Sequence, residues 1–245
     1  MANSEKKPSG KKLQQICKVA ASLFFEKGFW QTSARDIAGV RGISVGTLYH
    51  YITSKYDFPR IFCKVHIRDI RKWEREVRKE MEDTAPEEML KKAVRKYLYL
   101  IDSRDKMVLF WYNTSQHLEW DQLEDVVHTE FRTVSLFKEI LDQGCRQGQF
   151  KTCDPLLAAV NIEMICHTWV LKGWHLYHFY TIEQYADVCE NYAVLIARGS
   201  NDLCIPPAAK TIEVKHLKDN WDRERREKPD GHGSDSWARY TVEDP

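Results

Sequence analysis

At 245 residues, with 43% hydrophobic and 30% charged side chains, the chain has room for one large or two modest globular domains and is too apolar to be a disordered one. No apolar run is long enough to span a bilayer, and the opening MANSEKKPSGKK lacks a signal-peptide core, so a cytoplasmic location without membrane contact is expected. The formal net charge of +1 is unevenly spread: residues 1–60 hold seven Lys and three Arg against four acids, a net +6, which leaves −5 for the rest and fits a basic DNA-contacting module on an acidic body.

Residues 1–10 are polar and read as a flexible tail. From Lys11 to Lys27, Ile16, Cys17, Ala20, Leu23 and Phe24 recur at helical spacing, and Gly28 closes the helix. Ser33 and Asp36 then form a capping box for a short helix carrying Ile37, Ala38 and Val40. Gly42 falls where the turn between two helices wants a residue without a Cβ. Ser44 caps a second short helix, Val45 to Tyr51, and Ser54 with Asp57 opens a third. The second helix is short and polar on one side, with Thr47, Tyr49 and His50 beside Gly46. Hydrogen-bonding tips, methyl groups and room for close approach suit a helix laid in a DNA major groove. The bland alternative is three packed helices of an ordinary α domain.

The run DIAGVRGISVGTLYHYITSKYDF resembles the signature of the TetR/AcrR family of transcriptional regulators, with matches at Ile37, Ala38, Gly42, Ser44, Gly46, Thr47, Leu48, Tyr49, Tyr51 and Lys55. The preceding Phe24, Phe25, Gly28, Phe29 and Thr32 fit the family's opening, and the likeness covers about the first sixty residues. Arg41 stands where the family usually has Ala, and Tyr56 and Phe58 replace the common Glu and Leu. Pro59 falls about five positions into the third helix, where its missing N–H marks a candidate kink. The resemblance implies that Ser33, Arg35, Tyr49 and Lys55 anchor phosphates, while Ser44, Val45, Thr47 and His50 face base edges and thymine methyls.

The helical pattern continues to about Asp83 through RDIRKWEREVRKEMED, where Glu74 and Arg78 are spaced to pair on a solvated face. After a break at Thr84-Ala85-Pro86, helices are expected at Glu87–Ser103, Met107–Leu118, Asp121–Gln147, Pro155 to about Phe179, and Ile182 to about Ala197. No alternating strand pattern occurs, so the expected fold class is all-α. The last two helices are apolar around much of their circumference. By resemblance, helices 155–179 and 182–197 build a four-helix homodimer interface. From Gly199 the chain turns polar, and residues 201–245 read as a largely disordered tail, weakly helical around 211–226.

Seven cysteines without a C-x-x-C pair read as reduced, buried thiols. His175 and His178 lie three apart, with His167 upstream, a spacing seen in metal sites. No acid or thiolate is placed to complete a shell or a catalytic set, so no metal, cofactor or enzymatic activity is assigned. Trp111, Tyr112, Trp120, Phe131, Trp169, Trp174 and Tyr177 are more large rings than a small helical core needs. They form either a ligand pocket with polar tips such as Asn113, His117 and His167, or plain core and interface. The resemblance favours a pocket, with Trp111, Tyr112, His117, Phe131, His167 and Trp174 as its candidate residues, for an acyl-CoA, a fatty acid or an aromatic compound.

The expected organisation is a tail at 1–10, a helix-turn-helix DNA-binding domain at 11–58, a helical ligand-binding and dimerisation domain at 59–200, and a tail at 201–245. The expected function is a homodimeric, effector-released repressor of a palindromic operator in double-stranded DNA. Two alternatives stay open: a helical interaction protein that has lost DNA binding, and an enzyme built on the His and aromatic cluster.

Overall fold

The computed structural model describes residues 10–40, 42–81, 83–115, 120–152 and 154–199. Arg41, His117, most of the N-terminal tail and the whole of the 201–245 tail lie outside the described residues. Among the described residues every regular element is a helix.

The first compact layer is α1 (Gly10–Lys27), α2 (Ala34–Ala38) and α3 (Val45–Tyr49). The helix α1 buries Ile16, Cys17, Ala20, Ala21 and Phe24 and ends at Gly28, whose φ of 85° is the left-handed stop that a side chain resists. Ile37 and Ala38 of α2, Leu48 of α3, and the flanking Ile43 and Ile52 are all buried in the same core. Gly42 takes φ 73° between α2 and α3, as its place in the sequence predicts.

The third helix opens differently from expectation. Lys55–Asp57 is a 3-10 turn, and α4 (Phe58–Met81) starts only after it. Asp57 Oδ2 accepts from the backbone N–H of Thr53 (2.6 Å) and of Ser54 (3.1 Å), which holds the turn. Pro59 therefore sits in the first turn of α4, where an N–H has no intrahelical partner to lose, and the expected cause of a kink is removed.

The body consists of α5 (Pro86–Asp102), α6 (Asp105–Thr114), α7 (Trp120–Arg146), α8 (Pro155–Leu171), α9 (Gly173–Leu176) and α10 (Ile182–Arg198). Central among them is α5, which touches α4, α7, α8 and α10 through Met89, Leu90, Val94, Tyr97 and Leu98, all fully buried. Ion pairs fasten the outside. Arg95 of α5 reaches Glu190 and Asp187 of α10, and Arg78 of α4 reaches Glu139 of α7. Glu74 pairs with Arg78 as expected, yet it also takes Arg132 of α7, so that face of α4 is packed rather than simply solvated.

One helix was expected from Pro155 to about Phe179, but it breaks after Leu171. Lys172 adopts φ −114°, ψ 21°, and α9 restarts at Gly173, where a Cβ would lie 2.6 Å from the Tyr177 ring. Asp154 caps α8 by accepting from the N–H groups of Leu156 (2.9 Å) and Leu157 (3.0 Å). A Thr181–Gln184 capping box starts α10.

Candidate nucleic-acid interface and internal cavity

The short helix α3 is built to be presented. Leu48 anchors it in the core, while Val45 is 49% and Tyr49 51% exposed, and Ser44 and His50 are exposed too. Thr47 is half-buried. Its hydroxyl lies 2.8 Å from Ser44 Oγ, which also accepts from the Thr47 N–H at 3.0 Å. A Cβ added at Gly46 would approach only Ser44 Oγ, at 4.0 Å. Nothing inside the protein requires glycine there, although glycine in a helix costs about 0.5–1 kcal/mol relative to alanine.

Beside α3, the Ser33 N–H donates to Asp36 Oδ2 at 2.7 Å, and Ser33 Oγ accepts from the Asp36 N–H at 3.1 Å. Ser33 Oγ also donates to Asp36 Oδ2 at 2.5 Å, and this bond, then that from the Ser33 N–H, holds the half-buried Asp36 carboxyl down to about 2. Arg35 stands exposed on the next position. Lys55, expected to anchor phosphate, has a second task. Its ammonium donates to the carbonyls of Phe29 (3.0 Å) and Trp30 (2.7 Å) and lies 5.2–5.9 Å from the ring centroids of Phe29, Trp30 and Tyr56. It ties the loop after α1 to the turn before α4, a contact across 26 residues that local sequence does not announce.

Within the body, a cavity of about 30 Å³ lies between α4, α5, α6, α7 and α8. That holds one or two water molecules, far below the few hundred Å³ of a ligand-filled pocket. Its walls are His66, Tyr97, Ile101, Met107, Val108, Trp111, Tyr112, Val126, Glu130, Thr133, Glu163 and His167. Three of the expected ligand residues, Trp111, Tyr112 and His167, meet here. Phe131 and Trp174 do not line it: Phe131 is 37% and Trp174 72% exposed.

Four polar side chains form a chain through this wall. Tyr97 Oη donates to Glu163 Oε1 at 3.2 Å and lies 2.8 Å from His167 Nε2, and Tyr112 Oη lies 2.7 Å from His167 Nδ1. Burial, then the nearby His66, pulls His167 down to about 4, so its ring is neutral and uses one nitrogen as donor and the other as acceptor. With Tyr97 donating to Glu163, Nε2–H donates to Tyr97 and Nδ1 accepts from Tyr112. Burial also lowers His66 to about 4. Burial and the Glu130 charge push Glu163 up to about 8, against the opposing hydrogen bond from Tyr97. Trp111 Nε1, by contrast, is buried and finds no acceptor among the described residues, a situation that costs about 1–3 kcal/mol.

Sequence reading missed His66, Tyr97, Glu130 and Glu163. Only Glu163 carried a local signal: it is the one charged residue in the otherwise apolar helix PLLAAVNIEMICHTWVL, one turn before His167. Among the described residues, no three His, Cys, Asp or Glu side chains gather as a metal site. Nor is any helix there long and apolar enough to cross a membrane.

The two parts meet at α6. Phe110 packs on Phe24 and Phe29 of the first layer and on Phe62 of α4, while the next two residues, Trp111 and Tyr112, line the cavity. Lys106 Nζ donates to Ser22 Oγ of α1 at 3.0 Å.

An exposed short helix held by a small helical core, and joined through α4 and α6 to a separate polar-lined cavity, is the arrangement of a helix-turn-helix transcriptional regulator. Residues 16–58 match the model of bacterial regulatory proteins of the tetR family, and residues 83–173 match that of the tetracyclin repressor-like C-terminal domain. The chain is 26% identical over 175 residues to the HTH-type transcriptional regulator HbdR of Aromatoleum sp. (strain CIB), covering 71% of this chain and 75% of that protein. To the HTH-type transcriptional repressor KstR2 of Rhodococcus jostii (strain RHA1) it is 28% identical over 171 residues, covering 66% and 78%. Its fold matches that of AibR, solved in complex with isovaleryl coenzyme A and operator DNA, with a TM-score of 0.59 at 21% identity over 76% of this chain and 98% of that one. The chain belongs to the TetR family of DNA-binding transcriptional regulators.

Proposed function

We propose that the protein is a homodimeric repressor that binds a palindromic operator and releases it when a small effector enters the cavity of the body. Ser33, Arg35, Tyr49 and Lys55 position the module on phosphates, and Ser44, Val45, Thr47 and His50 read base edges. The observation that carries the reading is the run Phe110-Trp111-Tyr112. One residue belongs to the core of the DNA module and the next two to the cavity wall.

The small cavity supports a switch. At about 30 Å³ it has no room for an acyl or aromatic group, so an effector must widen it, which a movement of α6 away from α7 and α8 would do. Such a movement carries Phe110 with it and disturbs the seat of α1 and α4. A coupling of about 1–3 kcal/mol is enough to change DNA affinity many-fold. The isovaleryl coenzyme A named with AibR makes coenzyme A thioesters a reasonable effector class for this chain as well.

Dimerisation is supported by unpartnered apolar side chains on α8 and α10. Leu156, Leu157, Val160 and Met164 of the first, and Tyr192 and Leu195 of the second, are 37–65% exposed.

Selection of bound duplexes from a random library tests the reading. The expected product is two inverted half-sites about one helical turn apart, bound by two chains. Recovery of no enriched sequence at physiological salt overturns it.

A further inference from the structure

The chemistry of the cavity wall restricts what can enter. Resting on the reading of this cavity as the effector site, we infer that the buried end of the effector is uncharged and presents a carbonyl, ether or hydroxyl oxygen to Trp111 Nε1. A free carboxylate or an ammonium group is refused.

Three observations combine. First, Trp111 is about nine-tenths buried, lines the cavity, and its indole N–H meets no acceptor among the described residues. An indole N–H only donates, so its complement is an acceptor on the ligand. Second, no Lys or Arg lines the cavity among the described residues, and both of its histidines are held neutral by burial. An entering carboxylate finds no counter-charge and faces Glu163 and Glu130. Third, apart from His66 the remaining donors are committed, Thr133 Oγ1 to the Thr129 carbonyl. The Tyr97 and Tyr112 hydroxyls and the His167 ring are bonded to one another and to Glu163. A cation finds Glu163 protonated at pH 7 and leaves the Trp111 N–H without an acceptor, because an ammonium group has none.

Three probes of one skeleton separate the cases: 2-acetylnaphthalene, 2-naphthoate and 2-(aminomethyl)naphthalene at pH 7. Sharing the skeleton, they meet similar demands for widening the cavity. Binding to the full-length protein is followed by calorimetry and by the indole N–H resonance of Trp111, assigned by its loss in Trp111→Phe. The expected result is that the ketone binds about tenfold or more tighter than either charged probe and moves the Trp111 resonance downfield, and that Trp111→Phe weakens the ketone about tenfold. At pH 9, where Glu163 is ionised, naphthoate is expected to bind more weakly still, and Glu163→Gln, which keeps the volume and cannot ionise, is expected to remove that pH dependence. This second arm decides the matter if Trp111→Phe fails to fold. Naphthoate or the amine binding as tightly as the ketone, with the Trp111 resonance shifted, overturns the inference and leaves the cavity as an effector site. No probe moving that resonance at millimolar concentration overturns the effector site itself, and the inference with it.

Discussion

Phe110 of α6 lies against Phe24 of α1 with ring centroids 5.6 Å apart, so a side chain from the body completes the core of the DNA module. A two-part machine whose parts share a core cannot move one part alone. Phe110→Leu is expected to cost about 1 kcal/mol of stability. It should leave effector affinity within about twofold and shrink the effector-induced loss of DNA affinity by about 1 kcal/mol or more. Fluorescence anisotropy on a selected operator, with and without effector, reads this; an unchanged effector response counts against α6 as the link.

Gly46→Ala separates folding from function. The added methyl meets only open space on the protein side, so the variant is expected to be more stable by about 0.5–1 kcal/mol in urea. In the proposed complex the same methyl would stand between α3 and the floor of the groove, and operator affinity is expected to fall tenfold or more, by about 1.4 kcal/mol. A variant that gains stability and binds as before removes α3 from the interface.

The cavity gives the protein a pH signature. Glu163, at about 8, keeps a proton in the folded chain that the unfolded chain has released, so stability falls as pH rises toward 8 and levels off above it. Glu130 is shifted the same way. His66 and His167, at about 4, act in reverse: the unfolded chain takes up protons that the folded one refuses, and stability rises from about pH 4 to about 6.5. Between about pH 6.5 and 8 the carboxyl dominates, with a slope of at most about 1.4 kcal/mol per pH unit. Urea midpoints across this range should fall in the wild type and stay nearly flat in Glu163→Gln.

Lys55→Met tests whether the clamp on the Phe29 and Trp30 carbonyls is structural. Losing two charge-assisted hydrogen bonds from a part-buried ammonium is expected to destabilise the chain by about 1–3 kcal/mol. If stability is unchanged while DNA affinity drops, the ammonium serves phosphate alone.

The fold was legible where its signals are local. Capping residues and apolar spacing located α1 to α3 and most of the body, because Ser33 with Asp36 and Asp154 with Pro155 act within one turn. The break at Gly173 was not legible, since it depends on the Tyr177 ring folding back over the bare backbone. The 3-10 turn at Lys55–Asp57 was hidden because one Asp57 carboxylate serves two backbone N–H groups. The exposed face of α3 could be read from polarity and from Gly46. The cavity was only half legible: aromatic density pointed to α6, but Tyr97, His66 and Glu163 come from three other helices and meet only in the folded chain.

The mutual bond between Ser44 and Thr47 limits how this regulator can change targets. Of the segment that faces outward, Ser44 starts the helix, Thr47 is tied to it, and Leu48 roots it in the core. On the proposed reading of DNA by α3, evolution, or an engineer, seeking a new binding sequence is left with Val45 and His50 as the positions free to vary without loosening the helix itself.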